Sequence, residues 1–215
     1  MSLDDLARGF QERFDAKMAA REKALPAARR SIRFSANAIR AIHRGETEKA
    51  RSLMQQSADA IREGLEATRD EPDVANGGFL QDAQKEYAEA RITAAIVEGG
   101  AEIPGPDELG VQVAPYLNGM AEAIGETRRH ILDLLRAGDV ENSERLLGLM
   151  EDLYSLLVTI DYPDAITGNL RRSTDIARGI MEKTRGDLSI SIVQRSLRDA
   201  LDRHARDVMG KGDSG

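Results

Sequence analysis

The sequence contains no cysteine, which excludes disulfides, thiolate zinc sites, iron–sulfur clusters and cysteine nucleophiles. Tryptophan is missing too, and aromatic residues make up only 4% of the 215 positions. A core built from such a chain is aliphatic, made of Ala, Leu, Ile and Met. The only histidines are His43, His130 and His204, too scattered for a His-rich metal centre, so any metal site must draw on oxygen ligands. No apolar run approaches the roughly 18 residues of a membrane span. The acidic opening MSLDDLARGF also lacks the apolar segment of a secretion signal. The expectation is a cytoplasmic protein with no membrane partner. A Gly-rich phosphate loop, a Ser-His-Asp arrangement and an HExxH motif are absent as well.

What the sequence does have is charge and helical periodicity. Charged residues are 31% of the chain, and the net charge of -7 with a pI near 5.2 disfavours nonspecific attraction of the whole molecule to nucleic acid. Local patches therefore matter more than the total. Glycine and proline cut the chain into seven expected helices with no strand pattern, an all-α antiparallel bundle joined by short connections. The first covers residues 3 to 44, with a perturbation at Pro26. The second restarts at RGETEKA and fades at RDEPDVANGG. The third covers 79 to 98 and the fourth 112 to 137. Between them the loop EGGAEIPGPDELG, with two prolines and four glycines, should lack regular structure. Gly138 suits a left-handed cap and Asp139 an N-cap for the fifth helix. The sixth opens at DYPDAITGNL, and TRGDLSIS should separate it from a seventh that ends near 208. One domain spans 1–209, and 210–215 form a flexible tail.

Two helix faces carry unusual chemistry. At about 100° per residue, Arg29, Arg33, Arg40 and Arg44 share an arc of roughly 60° on the first helix, beside an apolar arc that includes Ala28, Ile39 and Ile42. Planar guanidiniums in a row suit phosphate contacts, although such a stripe also fits a solvated face that pairs with acids on a neighbouring helix. On the third helix, Asp82, Glu86 and Glu89 form a row beside the apolar arc of Phe79, Ala83, Tyr87, Ala90, Ala94 and Val97, with Leu80 at its edge. Like charges at this spacing repel, more so where water is excluded, and a divalent cation would relieve them. The alternatives are glutamates that reach solvent or pair with arginines. Asp152, and the pair Glu122 and Glu126, border apolar arcs on later helices. ETRRH spaces Glu126 and His130 by four, not the three of a di-iron bundle.

Four stretches, REKALPAARRSIRFSANAIRAIHRGE, QKEYAEA, YLNGMAEAIGETRRHILDLLRAGD and LMEDLYSLLVTIDYPDAITGNLRRSTDIARGIMEKTRGDL, together resemble the translin family over most of residues 21 to 188. The resemblance implies a seven-helix fold and a hollow oligomer, commonly an octamer. Glu86 and Glu89 match the EYxEA glutamates of translin-associated factor X, and Asp152 in LMEDLYS matches that motif's later aspartate. Glu126 also resembles a family position. The chain thus looks like an archaeal or bacterial homologue of factor X. What this implies is a metal-dependent endoribonuclease on single-stranded RNA, with Glu86, Glu89 and Asp152 as catalytic metal ligands, Glu126 as an additional one, and Mg²⁺ or Mn²⁺ as the ion. Arg29, Arg33, Arg40 and Arg44 would bind the nucleic acid, single-stranded DNA being a second ligand class. The alternatives are a single-strand-binding protein without catalysis and a purely structural oligomer.

Overall fold

The computed structural model describes residues 1–99 and 102–212, with side chains through 206. Among them the chain is helical and has no strand, as the punctuation predicts. The helices are α1 (Leu3–His43), α2 (Thr47–Ala67), α3 (Pro72–Ala75), α4 (Gly78–Val97), α5 (Pro106–Leu109), α6 (Val113–Ala137), α7 (Val140–Val158), α8 (Asp164–Thr167) and α9 (Leu170–Gly212). The three of four residues each are single turns lying in the expected connections. One of them, α5, gives the 98–110 loop a helical turn because Pro106 occupies the first-turn position, where a missing N–H costs nothing.

The first helix is single as expected, and one expected interruption, at TRGDLSIS, does not occur. Pro26 lies inside a continuous α1. Its ring faces solvent, and the neighbouring Ala24, Ala27 and Ala28 are buried against the fold, which holds the helix through the missing hydrogen bond. Gly186 likewise fails to end a helix, so the sixth and seventh expected helices are one, α9. A glycine in a helix interior costs only about 1 kcal/mol relative to alanine. Around it Arg128 bonds Thr184 at 3.1 Å and Asp187 at 2.7 Å, and Arg185 bonds Glu151 at 2.6 Å. Those contacts to α6 and α7 clamp both sides of the glycine. The backbone of α9 continues to Gly212, and residues 213–215 of the expected tail lie outside the described residues.

The other boundaries follow their local chemistry. Ser2 and Asp5 form a capping box at the start of α1. Gly138 ends α6 at φ 83°, and the Asp139 side chain accepts from the Asn142 amide to start α7.

Two helical groups make up the architecture. α1, α2 and α4 pack together, as do α6, α7 and α9, and α4 against α6 joins them. Buried Ser31, Ser35 and Ser57 tie α1 to α2 through hydroxyl contacts of 2.7 and 2.8 Å. α4 is enclosed on most of its surface: Leu80, Ala83, Ala88, Ala90, Ile92 and Ile96 are buried, as are Gln84 and Thr93. Each large aliphatic side chain fully buried there contributes about 1.5–3 kcal/mol. The expected arc was too narrow, since Leu80 and Ile92 are central while Phe79 and Val97 are only partly buried. Gln84 answers for its own burial by accepting from the Gln112 amide at 2.7 Å, which fixes the start of α6 against α4.

The α4–α6 seam is unusually close at Gly119. A Cβ there would lie 2.5 Å from the Lys85 carbonyl oxygen and 3.0 Å from both the Ala88 Cβ and the Glu89 nitrogen. Only a residue without a side chain permits that approach. Glu122, one turn beyond Gly119, is thereby brought over Glu86 and Glu89.

Candidate metal centre at the α4–α6 seam

Glu86 and Glu89 on α4 and Glu122 on α6 each place a carboxylate oxygen within 4.8 Å of the others. The α4 pair expected from sequence therefore does converge with a third acid, and that acid is Glu122. Asp152 is exposed on α7, which packs on α6 and α9, and it is not a member of this group. Asp82, the first acid of the expected row, is exposed one turn before Glu86. It lines a small open pocket of about 210 Å³ together with Lys85, Asn118, Glu122 and Ser173.

Glu89 is the most deeply placed of the three, 9% exposed. Burial and the neighbouring charges of Glu122, Glu86 and Glu126 push its carboxyl up to about 8, opposed by Lys85. The group is therefore protonated at neutral pH unless another cation arrives. Lys85 is the cation already present: its ammonium donates to both Glu122 oxygens at 2.6 and 2.8 Å and lies 3.3 Å from Glu86. Burial alone would lower the Lys85 pKa, but Glu122 and Glu86 hold it above its ordinary value.

Glu126 sits one turn further along α6. His43 Nε2 on α1 donates to its Oε2, and this hydrogen bond, with the charges of His43 and Arg129, holds Glu126 below the usual carboxylate range despite its partial burial. The His43 side chain is 3% exposed, and its Nδ1 has no partner among the described residues. Burial foremost, then the charge of His43, lowers the pKa of the neighbouring His130. Glu126 is thus oriented from behind, as an outer carboxylate of a metal centre would be.

The donor set is all oxygen, partly desolvated and mutually repulsive, and these properties fit a hard divalent cation such as Mg²⁺ or Mn²⁺. The chain has no cysteine thiolate to hold a softer metal, and no histidine belongs to this group among the described residues.

The arginine stripe lies on the same helix as His43. Arg29, Arg33, Arg40 and Arg44 are all exposed. Arg33 stacks over Phe34 at 5.7 Å, Arg40 donates to Asn37 at 2.7 Å, and Arg44 has Glu46 at 3.9 Å. Among the described residues the stripe has no acid from another helix against it, whereas Arg30, off the stripe, pairs with Glu63 of α2 at 2.6 Å. From Arg29 to Arg44 the helix rises about 22 Å, and its last turn holds Arg40, His43 and Arg44 together. Of that turn, His43 is the residue that reaches the acidic cluster, through Glu126.

Sequence reasoning missed Lys85 and gave Glu122 only a neighbouring role. The signals available were the i, i+4 spacing of Glu122 and Glu126 and the small residue Gly119 one turn earlier.

No protein-family model matches the chain. An uncharacterized protein of Methanocaldococcus jannaschii is 33% identical over 189 residues, spanning 87% of this chain and 83% of that one. Among solved structures, AfC3PO superposes with a TM-score of 0.80 at 31% identity, covering 88% of this chain and 98% of its own. AfC3PO in complex with duplex RNA gives 0.78 at 30%, covering 88% and 97%. Apo-NeC3PO, at 22% identity, covers 88% of this chain and 97% of its own with a TM-score of 0.73, a likeness of fold alone. C3PO is a complex of translin and translin-associated factor X. Identity of 30–31% across nearly the whole of the AfC3PO chain, with the same helical fold, places this protein in the translin family.

Proposed function

We propose that the protein is a divalent-metal-dependent endoribonuclease that works as a homo-oligomer. The observation that carries this reading is the convergence of Glu86, Glu89 and Glu122 within 4.8 Å, with Glu126 held beside them by His43. Glu86, Glu89 and Glu122 would hold a divalent cation, which would supply Lewis acidity toward a phosphodiester and a more acidic water, so no side chain need form a covalent intermediate. The residues have separable tasks. Glu86 and Glu122 offer charged oxygens at the mouth of the site, and Glu89 offers a deeper one once its proton leaves. His43 fixes the orientation of Glu126. Arg40 and Arg44 hold the phosphate backbone next to the carboxylates, and Arg33 and Arg29 extend that hold along α1.

RNA as the ligand is supported by the exposed guanidinium row and by the AfC3PO complex with duplex RNA. Cleavage is proposed for single strands, whose phosphates can enter a site recessed between two helices, with single-stranded DNA as a bound ligand. Assembly is supported by exposed apolar stripes. Phe10, Phe14 and Met18 recur on α1, and Ile190, Val193, Leu197 and Leu201 recur on α9, surfaces that a lone chain leaves in water. An octamer is the assembly proposed.

A binding protein without catalysis is the second reading, favoured by the ion pairs of Lys85, which already neutralise part of the cluster. Labelled single-stranded RNA incubated with Mg²⁺, with Mn²⁺ and with a chelator separates the two. Cleavage products that appear with either ion and vanish with chelator are expected. Bound but intact RNA across all divalent ions would favour the second reading.

A further inference from the structure

Lys85 lies between the carboxylates just assigned to a cation, and nothing in the proposed chemistry uses it. Its ammonium meets Glu122 through both oxygens, at 2.6 and 2.8 Å, and Glu86 at 3.3 Å. These are two of the three carboxylates that converge. The lysine side chain is 24% exposed and that of Glu86 26%, so the contact is half withdrawn from solvent and only partly screened. The basic side chains at Glu126 are placed differently: Arg129 lies 3.7 Å from it, and His43 is hydrogen-bonded to the same residue.

A divalent ion coordinated by Glu86, Glu89 and Glu122 would compete with the ammonium for the negative charge of these carboxylates, and at a few ångströms it would repel the lysine charge. The lysine can leave at small cost, because its four-carbon stem is flexible and Asp82 and the open pocket lie at its side. We propose that Lys85 is a resident counter-ion of the metal centre, one that stabilises the metal-free cluster and sets the affinity for divalent ions by competing for Glu122 and Glu86. This rests on the metal-site reading above. In consequence, the centre loads only where the divalent ion outcompetes an internal cation. Loading also releases an ammonium at the edge of the site.

The test is titration of Mn²⁺ into the metal-free, full-length protein by calorimetry, with wild type, Lys85→Met, Lys85→Arg and the Glu86→Gln/Glu122→Gln double variant as background. Removing the charge while keeping the stem should tighten Mn²⁺ binding by about tenfold or more, whereas arginine should stay within about threefold of wild type. Metal-free Lys85→Met should also melt at a lower temperature than wild type, and Mn²⁺ should raise its melting point by the larger increment. Unchanged or weaker Mn²⁺ binding by Lys85→Met, beside normal binding by wild type, would overturn the counter-ion role and leave the metal centre standing. No binding by wild type or Lys85→Met above the double-variant background would overturn both. Should Lys85→Met fail to fold, the wild type alone decides through the Lys85 side-chain NMR signal, assigned by its loss in Lys85→Arg. A shift that tracks Mg²⁺ addition supports competition, and a stationary signal contradicts it.

Discussion

The acidic cluster at the α4–α6 seam and the arginine stripe on α1 are both rows of like charge on helix faces, yet they are built in opposite ways. The cluster is recessed, crosses two helices and depends on backbone approach at Gly119. Burial foremost, then the charges of its neighbours, raises the pKa of Glu89 there. The stripe is exposed, lies on one helix, and its side chains have only weak or local partners. Charges that must act together on one small ion are coupled and costly to hold. Charges that grip a long polyanion can act one by one. Substitutions should therefore behave cooperatively in the first region and additively in the second.

The largest effect is expected from Glu86→Gln or Glu89→Gln. Either should reduce RNA cleavage by more than about a hundredfold, and the double variant should be little worse than each single one. RNA affinity, measured by fluorescence anisotropy, should stay near wild type. If the two effects instead multiply, the cooperative picture of the seam is wrong.

Gly119→Ala comes next. Its Cβ would meet the Lys85 carbonyl oxygen at 2.5 Å, so the helices must part. Overpacking of this kind costs about 1–3 kcal/mol, and chemical denaturation should show that destabilisation together with weaker Mn²⁺ binding.

A pH effect follows from Glu89. Its carboxyl is at about 8 in the fold, against an ordinary value of 4.5. A carboxyl raised in this way favours the metal-free fold below its unfolded value, and that contribution disappears as pH rises from about 4.5 through about 8. Melting of the metal-free protein should therefore occur at lower temperature toward alkaline pH from this group. Divalent binding should strengthen over the same rise, with proton release on binding that fades above about 8. Calorimetry in buffers of different ionisation enthalpy measures that release, and its absence at pH 7 would contradict the protonated state of Glu89.

Single changes in the stripe should be smaller. Arg29→Ala, Arg33→Ala, Arg40→Ala and Arg44→Ala should each weaken RNA binding several-fold. Each should also flatten the salt dependence, by a slope of about 0.7 for every single-strand phosphate the arginine had neutralised. Their effects should add. The smallest effect is that of Asp152→Ala, which should leave Mn²⁺ affinity unchanged because Asp152 is exposed on α7, outside the group.

Much of this architecture is written locally in the chain. Caps at Ser2, Gly138 and Asp139 and the punctuation between helices mark most boundaries correctly. Gly186 misleads because a local cost of about 1 kcal/mol is overridden by the Arg128 and Arg185 hydrogen bonds. Glu86 and Glu89 are legible because they share a helix face. The convergence of Glu122 with them is not, since it requires knowing which helix lies against α4. Spacing measures distance along one helix only. Gly119 is the residue that settles this juxtaposition, and its meaning emerges only once the Lys85 carbonyl is seen beneath it.

The most direct test of the central claim is an anomalous-scattering map from crystals grown with Mn²⁺. The account predicts a peak between α4 and α6, at about 2.0–2.6 Å from oxygens of Glu86, Glu89 and Glu122. A crystal that binds no Mn²⁺ at this seam, or binds it at Asp152 instead, would contradict it.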